Sequence, residues 1–114
     1  MNREFKFRAW NMESKEMDYF HLTHGDSFGL GGDIFPQYEV MQYTGEKDSK
    51  GKEIYDGDII TWYSGGEEAK ALVEWWNGCF VVSEKDYPEK TWMEKYNEYI
   101  GEVIGNIYEN PELY

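Results

Sequence analysis

The stretch Met41-Gln42-Tyr43-Thr44-Gly45-Glu46-Lys47-Asp48, continued by Gly51-Lys52-Glu53-Ile54-Tyr55-Asp56-Gly57-Asp58-Ile59-Ile60, decides the fold of this chain. Short apolar runs alternate in it with two turn signals, Asp48 with Gly51 and the triplet Asp56-Gly57-Asp58. Glycine adopts positive φ at little cost, and aspartate accepts hydrogen bonds from the backbone of its own turn. The pattern predicts short strands that reverse direction, with aspartates that serve the turns.

The same strand and turn signals extend on both sides of this stretch. A period of two predicts a first strand over residues 4 to 10, and residues 17 to 20 return as the second arm of an N-terminal hairpin. Residues 23 to 37, with four glycines and one proline, predict a long loop. Strand character resumes over residues 38 to 43.

The second half of the chain predicts a meander. Strands near residues 58, 69 and 79 are separated by Ser64-Gly65-Gly66 and by Asn77-Gly78, and both are hairpin signals. Trp92, Met93, Tyr96 and Tyr99 follow at helical spacing, which predicts a short amphipathic helix over residues 88 to 99. Residues 100 to 108 contain two glycines and predict a last strand with a bend or bulge.

Size and charge narrow the functional classes. The 114 residues predict a single domain over residues 1–114, and 23 acidic against 11 basic residues give a formal net charge of −12. Phosphate backbones and anionic membranes repel such a chain, so direct binding to nucleic acid or to a membrane is not expected.

Ten tyrosines, five tryptophans and six phenylalanines argue against disorder. The lone Cys79 lies in an apolar run and predicts a packed thiol. No signal-peptide pattern is present, so we expect a cytoplasmic protein.

Three blocks of sequence carry a family resemblance: Phe5-Lys6-Phe7-Arg8-Ala9-Trp10, the central stretch quoted above, and Ile104-Gly105-Asn106-Ile107-Tyr108-Glu109-Asn110-Pro111-Glu112-Leu113. In this order they resemble the YopX family of phage and prophage proteins. The resemblance implies a mainly β protein built around a small SH3-like barrel and encoded by a bacteriophage or prophage. It implies no catalytic or ligand-binding residue, because the function of the family is unknown.

His21, His24 and Asp26 form the tightest group of potential metal ligands. These three side chains are as many protein ligands as a catalytic zinc site needs. The other interpretation is solvated polar groups in the glycine-rich loop, which we favour because neither a cysteine pair nor a His-Glu-x-x-His motif supports a metal. We therefore expect no metal and no cofactor, and a metal-dependent hydrolase at these residues remains the alternative function.

Aromatic residues supply the candidate for protein binding. Adjacent strand residues point to opposite faces, so one of Trp75 and Trp76 is expected in the core and the other outside it. The outward ring, with Trp62 or Tyr63 of the neighbouring strand, forms a possible contact patch. The alternative is that the helix or a long loop covers these rings.

The leading hypothesis from the sequence is a non-enzymatic interaction module that binds a host protein or further copies of itself. Strand edges offer one route to homo-oligomers. In a sharper variant the acidic surface mimics the charge of nucleic acid and occupies a nucleic-acid-binding protein.

Overall fold

The fold is mainly β, as the sequence predicts. It is known from a computed structural model, which describes residues 6–21, 38–85 and 89–114. Two short 3-10 helices, Asn97–Tyr99 and Pro111–Leu113, complete the elements of these ranges. None of the helices in the described ranges has the length and hydropathy needed to span a bilayer. The strands are β1 Lys6–Asn11, β2 Glu16–His21, β3 Tyr38–Lys47, β4 Glu53–Tyr55, β5 Asp58–Ser64, β6 Glu67–Trp76, β7 Cys79–Glu84, β8 Lys90–Trp92 and β9 Ile100–Asn106.

The first sheet has the strand order β2-β1-β3-β4. The predicted N-terminal hairpin is confirmed, because β1 and β2 pair antiparallel from Lys6 opposite His21 to Asn11 opposite Glu16. The long strand β3 divides its pairing between two partners. Its first half pairs with β1 and its second half pairs with β4 through a register shift.

The second sheet has the strand order β8-β7-β6-β5-β9 and contains the predicted meander. Asn77 and Gly78 both have positive φ, at 48° and 85°, as a two-residue hairpin turn of the I′ type requires. Phe80 lies opposite Trp75 and Val82 opposite Val73, which is the predicted pairing. Strand β9 pairs with β5 through two register shifts, so the predicted irregularity of the last strand is also confirmed.

The main hydrophobic core lies on one face of the second sheet. Ile54 of β4 belongs to this core, so the end of the first sheet closes over the second. A short strand thereby contributes a completely buried side chain to the neighbouring layer. The buried core residues are Ile54, Ile60, Trp62, Ala71, Val73, Val82, Met93 and Ile100.

A buried ion pair joins the two sheets. The Arg8 guanidinium of β1 donates a 2.6 Å hydrogen bond to Asp58 Oδ1 of β5, and Asp58 Oδ2 accepts the backbone N–H of Tyr55 at 2.8 Å. The guanidinium also lies 4.8 Å from the centre of the Tyr55 ring. Burial raises the pKa of the Asp58 carboxyl, and the charge of Arg8 only partly offsets this. The pair therefore links three strands at a site from which water is excluded.

Asp48 closes the second sheet against the turn between β3 and β4. Its Oδ1 accepts the backbone N–H groups of Lys50 and Lys52 within the turn, and its Oδ2 accepts that of Val103 in β9 at 2.9 Å. The Ser49 N–H adds a 2.8 Å bond to the Gly101 carbonyl. The predicted role of this aspartate in its turn is confirmed, and the same carboxylate also holds a distant strand.

The helix predicted over residues 88 to 99 is wrong. Lys90–Trp92 forms the strand β8, a turn follows, and only Asn97–Tyr99 is a 3-10 helix. The helical spacing of the apolar residues reflects burial of Met93 alone, since Tyr96 and Tyr99 are exposed. Backbone pairing of β8 with β7 is favoured over a helix of about three turns, because so short a helix is marginal without packing.

Asp48 gives the structure a defined dependence on pH. Burial acts to raise the pKa of this carboxyl, but the N–H groups of Val103, Lys52 and Lys50 outweigh it and hold the pKa below 3.8. The stability contribution is therefore present above the ordinary aspartate pKa and is lost as the pH falls through the lowered value.

We expect Asp48→Asn to reduce the free energy of unfolding at pH 7 by about 2 kcal/mol, because one amide oxygen replaces two charged acceptors. In urea unfolding followed by tryptophan fluorescence, the difference from the wild type should shrink at pH 3. Asp18→Asn, at an exposed position of β2, is the control. An equal difference at both pH values would show that the charge of Asp48 does not contribute.

Candidate interaction surface

The structure places the four predicted contact residues in three different environments. Trp62 is 4% exposed and belongs to the core, so its predicted surface role is wrong. Tyr63 is 48% exposed beside the β5–β6 turn. Trp75 and Trp76 lie at the opposite end of β6, about 20 Å farther along the strand at its usual rise per residue. Tyr63 is therefore separate from the tryptophan pair.

Trp75 and Trp76 are both exposed, at 55% and 45%, so the expectation that one of them is buried in the core is wrong. Trp75 does lie on the core side of the sheet, the side of Val73, as strand alternation requires. Here β6 ends beside the Asn77-Gly78 turn, beyond the residues of the core. The Trp75 ring instead packs against the half-buried Phe80 ring, with the ring centres 4.8 Å apart in an edge-to-face arrangement.

A third exposed tryptophan, which the sequence did not single out as a contact residue, shares a face of the second sheet with Trp76. Trp92 at the end of β8 is 56% exposed, and it lies opposite Val81, which in turn lies opposite Glu74, two residues before Trp76. Lys95 Nζ lies 5.9 Å from the centre of the Trp92 ring and 5.5 Å from that of Tyr96. Tyr96 stacks on Tyr99 at 6.1 Å. We call Trp76, Trp92, Tyr96 and Tyr99 the aromatic surface.

Backbone and core contacts fix the turn that follows β8. The Met93 N–H donates a 3.2 Å hydrogen bond to the Phe80 carbonyl, which holds this turn against β7. Met93 itself is buried in the core, and Tyr99 covers Trp62 edge to face at 5.9 Å. The turn that carries Tyr96 and Tyr99 is therefore fixed by the core.

A polar cluster holds β8 in position. Glu74 Oε2 accepts hydrogen bonds from Ser83 Oγ and Lys90 Nζ, both at 2.8 Å, and Lys90 also donates to Ser83 Oγ at 3.1 Å. Burial acts to raise the pKa of Glu74, but these two partners outweigh it and the pKa lies below its ordinary value. The ionised cluster ties three neighbouring strands together next to Trp92.

Negative charge lies beside the turn that carries Tyr96. Burial raises the pKa of the Glu46 carboxyl, the Asn97 side chain partly offsets this, and the charge of Glu94 raises the pKa further. Glu46 at the end of β3 and Glu94 in the turn are thus close enough to repel each other. Two carboxylates that repel each other therefore lie beside the turn that carries Tyr96.

The predicted metal ligands lie almost wholly outside the described residues. His24 and Asp26 belong to residues 22–37, and the side chain of His21 is not described either. Within residues 6–21, 38–85 and 89–114, no three His, Cys, Asp or Glu side chains are grouped to hold a metal ion. The hydrolase alternative thus stays a prediction from the sequence.

Helical spacing misled the sequence interpretation of Trp92 and its neighbours. A stripe at intervals of three and four predicts an amphipathic helix, whose apolar face packs against the core. Composition is the signal that agrees with the structure, because tryptophan and tyrosine are the residue types most enriched at protein interfaces.

Substitution should separate the core ring from the exposed rings. We expect Trp62→Ala to reduce the free energy of unfolding by about 3 to 5 kcal/mol, as for buried aromatic residues in general. Trp76→Ala should cost less than about 0.5 kcal/mol, because its ring is half exposed at the end of a strand. Urea unfolding of both variants measures this, and a large loss for Trp76→Ala would show that its ring serves the fold.

Comparison with known proteins places the chain in a family. The family model described as YopX protein matches residues 21–114. The first of the three sequence blocks lies before the matched range, whereas the other two lie within it. No curated protein gives a significant sequence match.

Two solved structures share the fold over nearly the whole chain. Protein EF1440 from Enterococcus faecalis is 27% identical with a TM-score of 0.62, and the match covers 96% of each chain. Protein YopX from Bacillus subtilis is 26% identical with a TM-score of 0.62, over 100% of this chain and 99% of that one. The matched range exceeds half of the sequence, and this chain belongs to the YopX family.

Proposed function

We propose that this chain is a non-enzymatic protein-interaction module of a phage or prophage, active in the bacterial cytoplasm, which binds its partner through the aromatic surface. The observation that carries the proposal is the exposure of Trp76 and Trp92, each by about half, on one face of the second sheet. Clusters of large exposed apolar side chains mark interaction sites, whereas singly exposed ones need no explanation.

The way in which the rings are supported favours binding over a passive surface. Met93, next to Trp92 in the chain, lies in the core, the core ring of Trp62 contacts Tyr99, and the Glu74 cluster fixes β8. Rings that are already held in place lose little conformational freedom when a partner binds, which increases affinity. Tryptophan and tyrosine are also the residues that most often dominate binding energy at interfaces.

The roles of the buried carboxylates support a non-enzymatic protein. Asp58 is paired with Arg8 and accepts a backbone N–H, and both oxygens of Asp48 accept backbone N–H groups. These groups are committed to holding strands together. Arg8, Asp48 and Asp58 of the family blocks thereby act in the fold, and the aromatic surface is the candidate for activity.

Affinity capture with matched variants tests this function. The tagged wild type, the double variant Trp76→Ser with Trp92→Ser, and the control Tyr63→Ser are each incubated with a bacterial lysate, and bound proteins are quantified by mass spectrometry. Tyr63 is an equally exposed aromatic residue outside the aromatic surface. We expect a protein bound near stoichiometry by the wild type and the control, and reduced at least about tenfold with the double variant, as for loss of dominant interface residues.

Sedimentation of the purified protein over a range of concentrations identifies self-association. Loss of an oligomer in the double variant would make a second copy the partner and would support the interaction module. The interaction module would be contradicted if the wild type and both variants recover every protein equally and the purified protein is a monomer at all concentrations.

A further inference from the structure

The turn after β8 contains a cation held between two aromatic rings. Lys95 Nζ lies within 6 Å of the ring centres of both Trp92 and Tyr96. Ammonium and guanidinium groups at such distances are attracted by the negative face of the ring. Trp92 and Tyr96 are exposed, and so is Lys95, so its ammonium group is solvated and held weakly.

We propose that the aromatic surface is a binding site for arginine side chains of a basic protein segment, and that one arginine takes the position of the Lys95 ammonium group between Trp92 and Tyr96. This inference rests on the proposed function and names the chemical class of the partner. Trp76, which shares a face of the second sheet with Trp92, offers a further ring to a neighbouring basic residue of the same segment.

Charge selects a basic partner over a second copy. Two copies of this chain bring together formal net charges of −12 each, and like charges brought together at an interface cost several kcal/mol. Near the site itself, the Glu46 and Glu94 carboxylates repel each other. An incoming cation relieves this repulsion, whereas the surface of a second copy adds to it.

Geometry favours arginine over lysine. The guanidinium group is planar, stacks on aromatic rings and is more weakly hydrated than an ammonium group. It also retains donors at its edge while its face covers a ring, so it still donates hydrogen bonds to a neighbouring carboxylate. Arginine should therefore displace the ammonium group of Lys95, and Lys95 acts as an internal competitor of low affinity.

Fluorescence anisotropy with two labelled probe peptides, nona-arginine and nona-lysine, tests the inference at about 0.15 M salt, where weak attraction between distant charges is screened. We expect the wild type to bind nona-arginine at least about threefold more tightly than nona-lysine, as one or two additional cation–π contacts give. Trp92→Ser should weaken nona-arginine binding by a similar factor, and Trp92→Phe by less. Tyr63→Ser should have no effect.

Lys95→Ala distinguishes release of the site between the two rings from a general effect of charge. It should strengthen nona-arginine binding more than Lys70→Ala does, although both variants remove one exposed positive charge. Circular dichroism confirms that each variant is folded. Equal affinity for the two peptides, unchanged by Trp92→Ser, would overturn the inference, as would equal effects of Lys95→Ala and Lys70→Ala.

The outcomes also separate this inference from the proposed function. Capture of a partner that depends on Trp76 and Trp92 but lacks basic character would retain the interaction module and overturn the choice of arginine. Selective binding of nona-arginine that depends on Trp92 would support the inference, even if lysate capture shows no partner and the proposed module fails.

Discussion

The fold depends on an ion pair that water does not reach. Arg8 of β1 and Asp58 of β5 are both almost fully buried, and their side chains meet where the two sheets adjoin. Removing two charges from water is costly, and the attraction between them offsets the cost only where geometry and additional hydrogen bonds are good. Asp58 meets this condition through the Tyr55 N–H, and Arg8 through the Tyr55 ring. The pair therefore lowers the free energy of one arrangement of the hairpin against the meander relative to other arrangements.

The sequence predicts what depends on neighbours in the chain and misses what depends on distant contacts. Asn77-Gly78 predicts its hairpin correctly because the backbone twist of the turn determines the register of both strands. Asp48 is recognisable as a turn residue, but its bond to Val103 in β9 joins residues far apart in sequence. The helix prediction around Trp92 failed for the same reason, because pairing of β8 with β7 is a tertiary interaction. The SH3-like character of the barrel stays a prediction.

The candidate site was only half predictable. Trp75 and Trp76 drew attention as adjacent aromatic residues, and both lie at the surface. Alternation along a strand assigns each residue to a face, but it does not show where the core ends, so one of Trp75 and Trp76 was expected in the core and Trp62 was offered, beside Tyr63, for the surface. The three blocks that carry the family resemblance contain the turn aspartates, the two members of the ion pair and strand ends. The aromatic surface lies outside all three, and this separates the residues that build the fold from those proposed to act.

A double-mutant cycle on Arg8 and Asp58 tests the central claim most directly. Free energies of unfolding are measured at pH 7 for the wild type, Arg8→Met, Asp58→Asn and the double variant. Arg8→Met should cost about 3 to 5 kcal/mol because it leaves a buried carboxylate without its partner. The account predicts that Asp58→Asn costs at least about 1.5 kcal/mol less in the Arg8→Met background than in the wild type. Effects that add within about 0.5 kcal/mol would contradict the claim that this pair joins the two sheets.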